Sequence, residues 1–439
     1  MPRAIVINPW VCDFKLYDEW MHPLGLYFLI SLLKHNGWDV RYINCLGRDS
    51  SAKPKRFGTG EFAAVPIAKP PFYRAIPRIY KRYGVSPEAF DAALHACPSP
   101  DAVFVGSHMT YWIDGLAETV FTVRRAFPQT PIVIGGISAI LMPEVLRPAF
   151  PGVLVYGSSL LPAFTSGDAP HASLPFGLTT AGWNPDFIAG FNSCAVLHHA
   201  PVLLSLGCPH NCSYCASRQL QPSVVFRPLD TVIGEIMHAS EKFGVRDFAF
   251  YDDALLYNPS DRVMALLDEI ARRGLSVRFH TPNGLHVRLL TAEVLSLMRK
   301  AGFETLRLGY ESGLGRYDAD TRSKAGYDAL RRASGLIRNA GFTGRRTGVY
   351  IMAGLWGQRE EEVIEEMTAV AALGLTVKPV FLSPAPGSEL FGTYSKQFPE
   401  LALDPHWHND IFFITKLPGW DWAAAERVKA AARKLNASL

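Results

Sequence analysis

The chain has 439 residues, 48% of them hydrophobic and 19% charged, with a net charge of +4. That length leaves room for two domains with appendages, and the balance is that of an ordinary globular protein, which excludes a disordered or fibrous chain. The longest apolar stretch, Leu24 to Leu33, is too short to span a bilayer and reads as a buried helix, while Met1 to Asn8 runs into a strand without a signal-peptide pattern, so no membrane span and a cytoplasmic location are expected.

Residues 1–160 alternate strand and helix. Ala4 to Asn8 is a short apolar strand, Pro23 to His35 a helix closed by Gly37, and Asp39 to Asn44 the next strand. An insertion over residues 48–86 follows. Between Lys53 and Arg82 it carries eight basic residues against one acid, so this window is +7 and the rest of the chain −3. Its aromatics Phe57, Phe62, Phe72, Tyr73, Tyr80 and Tyr83 alternate with the cations. Its prolines favour an extended strap over a nucleic-acid platform, with little apolar area to contribute to a core, so it is read as serving a bound anion or substrate edge. The alternation resumes with helix 87–96, strand 102–107, helix 115–126 and strand 132–135, which ends in Gly135-Gly136. Such alternation predicts a doubly wound parallel sheet whose ligands lie beyond the carboxyl ends of the strands.

Periodicity fades over residues 161–200, where Pro, Gly, Ser and Thr accumulate as in a linker. Over residues 201–395 six strand and helix units follow. The strands expected are 202–207, 247–251, 276–281, 305–309, 347–352 and 376–382. Residues 396–439 form a short tail that ends in a helix over 422–435.

The segment Cys208-Pro-His-Asn-Cys212-Ser-Tyr-Cys215 follows the first of these strands. Three thiolates without a nearby fourth suit a 4Fe-4S cluster with one iron left open, a zinc knuckle or unrelated free thiols being the alternatives. The other cysteines, Cys12, Cys45, Cys97 and Cys194, lie among apolar neighbours and suggest no disulfide framework, which fits a reducing compartment.

The C-x3-C-x2-C spacing, with Tyr214 before the last cysteine, resembles the signature of the radical S-adenosylmethionine (SAM) superfamily. The strand ends Phe250-Tyr251-Asp252-Asp253, Gly309-Tyr310-Glu311-Ser312-Gly313 and Pro386-Gly387-Ser388-Glu389-Leu390 resemble those of its group with an N-terminal cobalamin-binding-like domain. This resemblance implies that the six strand and helix units make a partial (β/α)6 barrel and that Cys208, Cys212 and Cys215 hold the cluster. It further implies that Asp252 or Asp253 receives the SAM ammonium, that Glu311 receives its ribose hydroxyls, and that Tyr214, Ile351 and Leu382 wall its adenine. Asn283 and His280 are expected at the barrel mouth.

Two parts of the cobalamin fingerprint appear in order, Ser107-x-Met109 and Gly135-Gly136, as expected contacts for the nucleotide tail. His22-Pro23-Leu24-Gly25 keeps the His-x-x-Gly part, but Trp20 stands where an aspartate would orient His22, so the lower cobalt ligand is expected to be absent. The activity implied is reductive cleavage of SAM and hydrogen abstraction from an unactivated carbon, with cobalamin-dependent methyl transfer. The alternatives are radical rearrangement or cyclisation, RNA modification, or a non-catalytic iron-sulfur or corrinoid sensor. The implied partners are a reducing redox protein such as flavodoxin or ferredoxin and a small-molecule or bulky organic substrate.

Overall fold

The computed structural model describes residues 1–48, 55–159, 174–257, 262–317 and 325–439. The chain divides into two compact units. One comprises residues 1–199, 237–244 and 402–406, and the other residues 200–236, 245–401 and 407–439. The linker expected from residue 161 falls, up to residue 173, outside the described residues, as does Lys53 of the insertion.

In the first unit the strands Asp39–Asn44, Arg3–Asn8, Ala102–Ser107, Ile132–Gly136 and Leu154–Val155 lie side by side in that order, all parallel. Successive side chains of a strand alternate between faces, and here both faces are covered. Ile5, Ile7, Val103, Val105, Ile132 and Ile134 belong to one apolar core, while Ala4, Val6, Ala102, Phe104 and Val133 belong to the other. The order reverses between Arg3–Asn8 and Ala102–Ser107, so a crevice opens beyond Asn8 and Ser107. The two-residue fifth strand was not legible, because it is too short to carry a period.

The insertion is more structural than its composition suggests. Its strands Ala64–Pro66 and Lys81–Tyr83 form an antiparallel side sheet with Val11–Asp13. Tyr73, Ile76 and Tyr80 are almost fully buried, so the expectation of little core is corrected. The alternation of aromatic and basic residues is the reason: Tyr73 and Tyr80 turn inward while Arg74 between them stays exposed. Several of these cations are also engaged, Arg82 with Glu118 at 2.5 Å, Lys55 with Glu61 at 3.1 Å and Lys69 with the Ile76 carbonyl at 2.7 Å.

The second unit holds a parallel sheet in the order Thr376–Phe381, Thr347–Ala353, Phe303–Glu311, Arg278–His280, Asp247–Phe250 and Ala200–Val202, with the short strand Leu285–His286 also paired to Phe303–Glu311. Among the described residues it does not close into a barrel. Phe248, Phe250, Phe279 and Phe303 pack through its middle, the Phe250 and Phe303 rings stacking 5.4 Å apart. The C-terminal helix Trp422–Ala437 covers the edge strand, where the Asn436 carboxamide donates to the Val377 carbonyl at 2.9 Å and accepts its N–H at 2.8 Å. Such pairing blunts an otherwise open edge. No helix among the described residues is long and apolar enough to cross a membrane.

Candidate active site

The cysteine loop begins where the strand Ser205–Leu206 ends. Gly207 makes the turn with φ +81°, and a Cβ there would stand against the Ser223 carbonyl, so only glycine fits. The loop is latched to a neighbouring turn: Leu390 N–H donates to the Ser213 carbonyl at 2.9 Å, and the Gln219 amide to the Gly387 carbonyl at 3.2 Å. The Cys215 N–H donates to the Cys212 carbonyl at 3.1 Å, and the Ser217 N–H reaches the Cys215 sulfur at 3.4 Å. None of the three thiols is in a disulfide. Burial pushes Cys208 up to about 11, and negative charge on Asp253, Cys215 and Cys212 adds to this. The three sulfurs therefore sense one another, although among the described residues no three such side chains converge as a metal site.

The adjacent carboxylates at the end of Asp247–Phe250 differ in role. Asp252, 3% exposed, accepts from Leu204 N–H at 3.1 Å, Ser205 N–H at 2.6 Å and the Ser205 hydroxyl at 2.7 Å. Burial nevertheless raises its pKa to about 6. Asp253 is exposed, its carboxyl pushed up by surrounding protein and bonded to the Ser217 hydroxyl. The Asn283 amide donates to the Tyr251 carbonyl at 2.8 Å.

Glu311 ends its strand at φ +70°, a left-handed conformation unusual for a residue with a Cβ, beside a register shift opposite Ile351. Glu366, from the helix Glu360–Ala371, holds this turn. It accepts from the Tyr310 hydroxyl at 2.6 Å, Gly313 N–H at 2.9 Å and the Ser312 hydroxyl at 3.1 Å. Burial raises the pKa of the Tyr214 phenol, and the nearby Glu311 charge and a hydrogen bond with Cys212 raise it further. Ile351 and Leu382 are buried at the ends of neighbouring strands, with Leu382 N–H donating to the Ala353 carbonyl at 2.9 Å.

His280 corrects an expectation. It is fully buried, Nδ1 on the Thr305 hydroxyl at 2.8 Å and Nε2 on Asp247 at 3.1 Å, so it braces the sheet and does not reach the mouth.

In the first unit, a crevice of ≈ 450 Å³ opens at the switch point, lined by Asn8, His22, Tyr27, Asn44, His108 and His199 among others. A chain of hydrogen bonds runs along its wall. His22 Nδ1 meets the Tyr27 hydroxyl at 3.1 Å, His22 Nε2 meets His199 Nδ1 at 2.7 Å, and His199 Nε2 meets Asp18 at 3.0 Å. Burial opposes the charge on Asp18, yet His199 and Arg48 hold it well below the usual carboxylate range. Beside the crevice, the Ser107 hydroxyl donates to the Gly135 carbonyl at 2.8 Å and accepts from Ala139 N–H at 3.2 Å, and the slot it lines is only ≈ 10 Å³. A Cβ on Gly135 would enter open space, whereas Gly136, at φ +102°, packs against the Ser107 carbonyl.

Residues 202–370 match the family model of the radical SAM superfamily. They are a radical SAM domain. The chain is similar in fold to the radical SAM methyltransferase TsrM of Kitasatospora setae, solved with tryptophan and a SAM analogue. The TM-score is 0.65 at 15% identity, over 99% of this chain and 89% of that one. It is also similar to OxsB, a cobalamin-dependent SAM radical enzyme solved with aqua-cobalamin, at TM-score 0.54 and 13% identity over 91% of this chain and 56% of that one. At such identities the likeness speaks for the fold. An uncharacterized methyltransferase of Pyrococcus horikoshii is 28% identical over 113 residues, which span only 25% of this chain and 24% of that relative.

A radical SAM domain implies a 4Fe-4S cluster and SAM, and the donor set fits: three unoxidised thiols on one latched loop, with backbone N–H groups directed at the sulfurs of Cys208 and Cys215. Their mutual repulsion is what a bound cationic centre relieves. Glu366 escaped the sequence reading. It occupies a core position between Val363 and Val370, and an acid on a helix's buried face was the available signal. Gln358, which accepts from Gly354 N–H at 2.8 Å and Leu355 N–H at 3.1 Å, carried no local signal at all.

Proposed function

We propose that the chain removes hydrogen from an unactivated carbon of an organic substrate and, with cobalamin in its first unit, sets a methyl group there. The observation that carries this reading is the three-thiol loop, latched beside Tyr214 and Glu311 within the matched domain. When bound, the cluster with SAM supplies a 5′-deoxyadenosyl radical by reductive cleavage, and cobalamin supplies the methyl group.

The protein's own part is binding and exclusion of water. Cys208, Cys212 and Cys215 ligate three irons and leave the fourth to SAM. Asp253 is the carboxylate for the ammonium, because Asp252 is already committed to the Leu204 and Ser205 amides and so positions the loop's root. Glu311 accepts from the ribose, and Tyr214, Ile351 and Leu382 enclose the adenine. Asn283, which bridges two strand ends, is placed for substrate.

Cobalamin is supported by the switch-point crevice and by the fold's likeness to a structure that holds it. Ser107, Gly135 and Gly136 are the residues for its nucleotide tail. His22 is no cobalt ligand in this reading, since both its ring nitrogens are engaged. A reducing protein such as a flavodoxin or ferredoxin feeds the cluster. The closed slot beside Ser107 favours a second reading, radical rearrangement or cyclisation without cobalamin.

Anaerobic incubation with SAM, reductant and candidate substrates separates these readings. Methyl transfer raises 5′-deoxyadenosine and S-adenosylhomocysteine together, rearrangement or cyclisation raises the first alone, and no SAM cleavage overturns both.

A further inference from the structure

A second cavity, of ≈ 600 Å³, opens on the first unit and is lined by the segment Asp13 to Tyr17, by Arg78, Ile79, Lys81 and Tyr83 of the insertion, and by Tyr111 and Trp112. Its wall is aromatic, through Phe14, Tyr17, Tyr83, Tyr111 and Trp112. Lys15, Arg78 and Lys81 supply its charge.

The strand Lys81–Tyr83 explains how one run of basic residues splits between two tasks. Alternate side chains point to opposite faces. Arg82 therefore turns inward to Glu118 and lies over the Trp10 ring, whereas Lys81 and Tyr83 face the cavity. Lys81 makes no ion pair among the described residues. The acid of the lining, Asp13, is withdrawn: it is 3% exposed, one oxygen accepting from Phe14 N–H at 2.6 Å and the other from the Trp112 indole N–H at 2.9 Å. Positive charge thus faces the cavity, and its volume lies in the range of about 300–1,000 Å³ typical of small-molecule sites.

We infer that this cavity binds an organic anion with an aromatic body, its ring between the aromatic walls and its carboxylate or phosphate on Arg78 and Lys81. Cation and ring together select such a molecule over a bare ion or a neutral ring. The inference stands on the first unit alone and is independent of the reaction proposed above.

Calorimetric titration of the full chain tests it, with 1-naphthyl phosphate and 1-naphthoate as probes and 1-naphthol and inorganic phosphate as controls. At least one ring-bearing anion should bind with a Kd below about 1 mM and at least about tenfold more tightly than either control, and which of the two binds better tells phosphate from carboxylate. Arg78→Glu combined with Lys81→Glu should weaken that binding at least about tenfold. Tyr17→Ala, at a 39% exposed position, should weaken it without changing the melting temperature and serves if the charge reversal unfolds the chain. Replacing Cys208, Cys212 and Cys215 by Ala should leave probe binding intact, so failure of the cluster assignment and failure of this one are distinguishable. Saturation by naphthol as tight as by the anions, binding unaffected by the variants, no binding of either anion, or tighter binding of a single-stranded oligonucleotide would each overturn the inference.

Discussion

His22 and His199, 177 residues apart in sequence, share a hydrogen bond of 2.7 Å between Nε2 and Nδ1. His199 Nε2 is held on Asp18 while its Nδ1 meets His22 Nε2, and His22 Nδ1 in turn meets the Tyr27 hydroxyl. The fingerprint aspartate missing at Trp20 is thus replaced by Asp18 acting through a second imidazole. Both nitrogens of His22 are occupied.

The Co(II) electron paramagnetic resonance spectrum of cobalamin-loaded protein should therefore show no nitrogen splitting that disappears in His22→Gln. Burial, with His199 nearby, holds the His22 pKa well below 6.5, so the folded state refuses a proton that the unfolded state takes. Stability should fall as pH drops below 6.5, and His22→Gln should flatten that slope in urea titrations.

The neighbours Asp252 and Asp253 should separate cleanly. Asp252→Ala strands buried amides of Leu204 and Ser205, at a cost of about 1–3 kcal/mol for each unsatisfied group. Asp253→Asn should change stability by no more than about 0.5 kcal/mol, since the residue is exposed. It should weaken SAM binding about tenfold with the cluster intact, measured by anaerobic equilibrium dialysis. The opposite pattern would assign the ammonium to Asp252.

Gly135 and Gly136 should respond differently to the same substitution. Gly135→Leu projects into open space, so the fold should persist while cobalamin uptake is lost. Gly136→Leu forces a side chain onto φ +102° and against the Ser107 carbonyl, and should destabilise by more than about 2 kcal/mol. Chemical denaturation and bound-corrinoid absorbance report the two effects separately.

His406 joins Asp404 at 2.6 Å and Asp114 at 3.0 Å. Burial disfavours its charge, but the two carboxylates win and raise its pKa from 6.5 to about 9. The stability this charge contributes is fully present below 6.5 and is lost as pH rises through about 9. The melting-temperature gap between the wild type and His406→Gln should be widest at or below 6.5 and narrow on titration past about 9.

Sequence alone determined the alternation of strand and helix in both halves, the cysteine loop, and the glycines at the end of Ile132–Gly136, because periodicity, spacing and turn chemistry are short-range properties that survive without tertiary context. It could not tell Asp252 from Asp253, since adjacent acids look alike until a strand 47 residues away presents its amides to one of them. Nor could it pair His22 with His199, seat Glu366 beneath the Glu311 turn, or show that Tyr73 and Tyr80 of a basic, proline-rich insertion become core. Those outcomes rest on which distant groups the fold brings within hydrogen-bonding distance and out of water. Tertiary structure decides them, because burial makes an unmet polar group costly and so selects one partner among many that the sequence allows.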